Sequence, residues 1–170
     1  MQRLLPLLLF VSMIQIAKGQ LIPELEKRNG FKDIKLGTPV DSVKGLKFKK
    51  DFKEKDEFDA KLYSVDHPGY AKIGEVSVNK IELKAYKNLI YEILVVADKD
   101  TRLMKALESI YGIANYDEKR ETYFWRSETL ILKFQPHNKH KLEMVYISYL
   151  IHNKMKEDKG KKVVDIADDF

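Results

Sequence analysis

The chain has no cysteine among its 170 residues. Disulfides, thiolate metal sites and thiol nucleophiles are excluded together, and so is the lipid anchor of bacterial lipoproteins, which is built on a cysteine sulfur. Small animal extracellular domains often use disulfides to offset a small core, so their absence favours a bacterial envelope or secreted protein. Glycine and proline are sparse, at 8 and 5 residues. The glycines stand singly, and no phosphate-cradling loop or dinucleotide fingerprint can be assembled from them. Histidine is scarce as well, with 4 in the chain. His137 and His140 stand close in PHNKH, but Pro136 and Asn138 put them on a loop with no third ligand near in sequence, whereas a stable zinc site needs three or four. There is no G-x-S-x-G elbow, and no carboxylate pair stands at a telling spacing. We therefore expect no catalytic, cofactor-binding or metal-binding residue. The alternative from another class is a small periplasmic hydrolase using His67, beside Asp66 in DHPGY, and convergence of those two with a serine or glutamate would favour it.

Long apolar runs are also lacking, with one exception at the start. Arg3 precedes LLPLLLFVSMIQI and then AKGQ, which sets Ala17 and Gly19 at the small positions required for signal-peptide cleavage. A retained anchor would need roughly 20 apolar residues, and Pro6 interrupts this shorter run. The expected organisation is a signal peptide over 1–19, a mature chain from Gln20, one domain over 20–152 and a charged, mobile tail over 153–170. The location is then periplasmic or secreted, with no stable membrane anchor after cleavage. Loss of Arg3 and Lys18 lowers the basic count from 31 to 29 against 26 acids, so the net charge falls from +5 to +3. That charge is diluted: the lysines of KGLKFKKDFKEKDEFDAK alternate with acids, which marks a solvated surface rather than a nucleic-acid track.

Periodicity gives the elements. IPELEKRNG reads as a short helix with Ile22 and Leu25 inward, and Thr38-Pro39-Val40-Asp41 as a helix start that Gly45 stops. Val76, Val78, Ile81, Leu83 and Ala85 alternate with polar residues as a strand with one wet face. Lys87-Asn88 is a tight turn, and LIYEILVVA is apolar on both sides, as in a central strand. Asp100 or Thr101 caps a helix in which Leu103, Ala106, Leu107 and Ile110 form one stripe, and Gly112 ends it. Strands are expected over 121–126, 129–135 and 142–151, with Arg126-Ser127-Glu128-Thr129 as a hairpin turn. The fold class is α+β: an antiparallel sheet with a helix packed on one face and short helices at the N-terminal side.

Aromatic residues are the remaining functional candidates. Tyr123 and Trp125 share one strand face and belong to the core against the helix of 102–111. Alternation sends their neighbours the other way. Either the N-terminal helices cover that second face or it is a binding surface, for which Tyr116, Phe124, Tyr146 and Tyr149 are the candidates.

Two stretches carry a resemblance. FKDIKLGTPVDSV, through Ile34, Leu36, Gly37, Thr38 and Val43, is similar to the opening of small bacterial envelope domains of the SmpA/OmlA and β-lactamase-inhibitor-like fold group. LESIYG and YFW, through Tyr111, Gly112, Tyr123 and Trp125, resemble the helix, Tyr-Gly and aromatic-x-Trp succession of related secreted bacterial proteins of unassigned function. The resemblance implies a small helix-plus-antiparallel-sheet fold and a non-enzymatic envelope role, and it carries over no site residue. The assembly lipoproteins have a lipidated cysteine that this chain lacks. The expected function is an exported binding or interaction domain of the cell envelope, with an envelope protein or a small ligand as partner.

Overall fold

The computed structural model describes the backbone of residues 23–167 and the side chains of residues 23–162. The expected signal peptide, the cleavage site at Gln20 and Ile22 lie outside the described residues. Antiparallel β-structure dominates, accompanied by a few helices. Helix α1 (Pro23–Arg28) leads into a small hairpin of β1 (Gly30–Phe31) and β2 (Ile34–Lys35). The main strands are β3 (Leu46–Glu54), β4 (Phe58–Val65), β5 (Lys72–Ile73), β6 (Val76–Tyr86), β7 (Leu89–Asp98), β8 (Asn115–Asp117), β9 (Thr122–Arg126), β10 (Leu130–Asn138) and β11 (Lys141–Ser148). Helix α2 (Thr101–Tyr111) joins β7 to β8, and α3 (Tyr149–Ala167) follows β11. The sheet order is β3-β4-β6-β7-β11-β10-β9-β8, with β5 paired to β6.

Turn chemistry sets the register. Lys87 and Asn88 have φ of 47° and 68°, the pair of positive angles that a two-residue hairpin turn requires. Lys55 and Asp56, at 53° and 59°, open the three-residue loop, 55–57, that joins β3 to β4. That hairpin is what the alternating charges of 46–65 build. β3 is an edge strand, and Lys47, Lys49, Lys50 and Lys53 line it, which blunts strand-to-strand aggregation. Gly45, at φ 71°, is held against the chain: a Cβ there would stand 2.2 Å from the Asp66 carbonyl oxygen.

Alternation sorts the interior into two clusters. Ala85 belongs to the larger one and its neighbour Tyr86 to the smaller, so the clusters lie on opposite faces of the sheet. The larger contains Leu83, Ile93, Val95, Trp125, Leu132 and Met144 together with Leu25 of α1 and Leu103 and Tyr111 of α2. Trp125 is fully buried, its ring centroid is 6.0 Å from that of Tyr111, and its indole N–H donates to the Gly112 carbonyl at 2.8 Å. The smaller contains Ala60, Tyr86, Tyr91, and Ile151 and Met155 of α3. Tyr91 is the extra residue of a bulge, since Lys84 faces Glu92 and Ala85 faces Ile90. Its hydroxyl donates to Glu54 at 2.8 Å.

Three expectations require correction. Thr38 caps no helix: its hydroxyl donates to the Lys35 carbonyl at 2.8 Å, and only a single 3-10 turn, Val40–Ser42, follows. The last strand ends at Ser148 rather than at 151, because the Ser148 hydroxyl accepts from the Ile151 N–H at 3.3 Å and starts α3. The segment expected as a mobile tail from 153 is helical to Ala167. Met155 in it is 1 % exposed, and Asp158 accepts from Tyr86 at 3.0 Å and from Lys87 at 2.7 Å. The boundary at 152 therefore falls inside a helix.

Candidate functional site

The sheet register fixes which side chains share the face opposite the large cluster. One row runs Arg126, Ile131, Ile147, Glu92, Lys84, Leu62 across β9, β10, β11, β7, β6 and β4. The next runs Phe124, Lys133, Val145, Leu94, Glu82, Ser64. These apolar side chains are half-buried, neither sealed in the core nor fully in water.

Charge divides this face into two halves. Around β3, β4 and β6, Lys49, Lys80 and Lys84 are paired with carboxylates, and Lys50 on the edge strand is not among the described pairs. Glu82 accepts Lys49 at 3.0 Å and Lys80 at 2.9 Å. Burial opposes ionisation of Glu82, but the two ammoniums outweigh it and hold the carboxyl below its usual range. Lys84 lies 3.0 Å from Glu92 and 3.5 Å from Glu54. Burial pulls its ammonium down, and the two carboxylates more than restore it, leaving the group above the ordinary lysine value.

Around β9, β10 and β11 the balance differs. A depression of about 780 Å³ opens there, walled by Phe124, Ile131, Ile147 and Tyr149 with Arg126 and Lys133 beside them. Arg126 stacks its guanidinium 5.3 Å from the Tyr149 ring centre, which holds the cation without cancelling it. Neither Arg126 nor Lys133 has a carboxylate partner among the described residues. At the rim, Arg120 is bound to Asp117 at 2.6 Å, and that hydrogen bond holds the Asp117 carboxyl below its usual range.

The four expected surface aromatics do not converge. Phe124 and Tyr149 line this depression. Tyr116 is 48 % exposed and stacks on Tyr123 at 4.6 Å; its partner Tyr123 alternates with Phe124, so the pair belongs to the other face. Tyr146 is a correction: it is 4 % exposed and sits in the large cluster, because its parity on β11 matches Leu142 and Met144, and it cannot form part of an outer surface. Sequence reasoning missed Arg126, Ile131, Lys133 and Ile147. The signal was present in the other parity of the strands whose inward residues were recognised.

The histidines are engaged elsewhere. His67 Nδ1 accepts from the Gly69 N–H at 3.1 Å and its ring lies 5.5 Å from Tyr70. The Asp66 carboxylate turns to Lys47 at 2.8 Å, so the two do not form a hydrogen-bonded acid–base pair. His137 Nδ1 lies 2.6 Å from Glu143. No group of three or more histidine or acidic side chains that could hold a metal occurs among the described residues. No helix of the described residues is long and apolar enough to cross a membrane. No protein-family model, curated protein or solved structure matches the chain.

Proposed function

We propose that this chain is an exported binding domain of the bacterial cell envelope, without catalytic activity, whose open β9–β10–β11 face takes a protein segment carrying carboxylates beside apolar side chains. In this reading α2 covers one sheet face, as the membership of Leu103 and Tyr111 in the large cluster supports, and the part of the opposite face that α3 does not cover is left for the partner. Export rests on the leader-like residues before Gln20. The observation that carries the binding reading is the charge asymmetry of a single face. Lys49, Lys80 and Lys84 of the β3–β4–β6 half meet carboxylates within the chain; Arg126 and Lys133 meet none among the described residues, and unlike the exposed edge-strand Lys50 they stand beside Phe124, Ile131 and Ile147. An acidic, partly apolar segment supplies what that half lacks, with the aromatic and guanidinium groups as the anchors that dominate protein interfaces.

The test is selection of displayed random peptides on the protein. The reading predicts recovered sequences in which Asp or Glu adjoins aromatic or aliphatic residues, binding that weakens as salt rises, and loss of binding in Arg126→Glu with Lys133→Glu while the unfolding midpoint holds. Peptides whose binding is indifferent to that double substitution, or failure to recover any, would overturn it.

A further inference from the structure

A second cavity, of about 280 Å³, lies between α2, the β1–β2 hairpin and β11. Leu103, Leu107 and Met144 give it an apolar wall. Two tyrosines line it as well, Tyr111 at 6 % exposure and Tyr146 at 4 %. Neither hydroxyl hydrogen-bonds to a described residue, yet no buried side-chain oxygen is sealed off without a partner. Both tyrosines line the cavity, and their hydroxyls are donors without an acceptor among the described residues. Burial pushes both upward from the ordinary tyrosine range, so they remain donors at any physiological pH.

Cations surround the mouth. Arg28 is bound to Glu24 at 2.9 Å. The Lys32 ammonium donates to the carbonyls of Gly69 and Lys72, each at 2.7 Å, and that of Lys35 to the Arg28 carbonyl at 2.7 Å. Carbonyl oxygens hold an ammonium in place without neutralising it. The positive field at the mouth is thus fixed in position, with Glu24 as its carboxylate counterweight.

We propose that this cavity binds a small amphiphilic carboxylate, its head accepting hydrogen bonds from the Tyr111 and Tyr146 hydroxyls near Arg28, Lys32 and Lys35, and its chain lying against Leu103, Leu107 and Met144. The volume is at the low end for ligand sites, which limits the occupant to a short or medium chain. A charged acceptor suits two unpaired donors better than a neutral one, since charge-assisted hydrogen bonds are the stronger kind. The site is separate from the open β9–β10–β11 face and does not depend on the reading of that face.

Calorimetric titration of the full chain with octanoate, octylamine and inorganic phosphate tests the assignment. Saturable octanoate binding is expected, at least about tenfold tighter than octylamine, from hydrogen bonds to a charged group. Phosphate, lacking an apolar body, is expected not to saturate. Tyr111→Phe with Tyr146→Phe removes both hydroxyls and leaves the rings, so it should weaken octanoate by at least tenfold with an unchanged unfolding midpoint. Leu107→Phe fills the space and should compete with the chain. Equal binding of octylamine, binding of phosphate as tight as octanoate, or octanoate affinity unchanged in the tyrosine double variant would each overturn the assignment.

Discussion

Trp125 shows how one residue joins a strand to a helix. Its parity on β9 aims it at the large cluster, the Tyr111 ring lies beside it, and its N–H satisfies the Gly112 carbonyl at the exit of α2. Trp125→Ala should therefore cost about 3–5 kcal/mol of stability. As the sole tryptophan, it should emit at short wavelength in the folded chain and resist iodide quenching, and emission like that of free indole would contradict the packing. Its neighbour Phe124 points the other way and carries the opposite prediction: Phe124→Ala should weaken the partner and leave folding nearly intact. Glu82 carries a pH dependence. Its folded carboxyl is held below the ordinary range by Lys80 and Lys49 against the opposing effect of burial, so its contribution is fully present above the unfolded glutamate range and fades as pH falls through the folded value. Glu82→Gln should lower the denaturation midpoint at neutral pH and match the parent in acid; a deficit constant across pH would show that the ion pairs contribute nothing.

At the level of elements, legibility tracked the strength of the periodic signal. α2 was readable because Leu103, Ala106, Leu107 and Ile110 stand at helical spacing and Asp100 caps it, accepting the Arg102 N–H at 2.8 Å. The buried face is narrower and rotated from that stripe: Leu103 and Tyr111 are buried and Leu107 half-buried, whereas Ala106 and Ile110 are exposed, so Leu103→Ala rather than Leu107→Ala should show the full cost of about 2–5 kcal/mol. α3 was not readable, because among the described side chains only Ile151 and Met155 mark its inner face and charged residues crowd the stretch 154–162. Its start was written in Ser148, but a cap inside an apolar strand pattern looks like one more strand residue. Met155→Ala should cost about 2–5 kcal/mol by emptying the smaller cluster, and amides near Asp158 should exchange slowly; an unchanged midpoint would restore the free-tail reading. The β3–β4 hairpin was hidden for a different reason. Its edge strand carries only Leu46, Phe48 and Phe52 among the charges, and the lysines that read as mere solvated surface are its protection against pairing.

At the scale of the whole molecule, two clusters on opposite faces of a nine-stranded sheet leave one face half covered. The aromatic surplus was visible from composition, but not its division: core for Tyr146, edge stack for Tyr116, open face for Phe124 and Tyr149. Parity could have assigned Tyr146 correctly, had the strand been taken to share its phase with Met144. Export belongs to this scale too. Intact mass of native material should correspond to a chain beginning at Gln20, and a mass that includes Met1–Gly19 would contradict it. A partner is proposed to dock on the β9–β10–β11 face. A photo-reactive phenylalanine placed at position 124 in the producing cell tests this most directly, with the same group at position 48 on the exposed Phe48 site as control. One dominant protein adduct is expected from position 124, joined through a segment with acids beside apolar residues, and none from position 48. Equal labelling from both positions, or an adduct from position 48 alone, would contradict it.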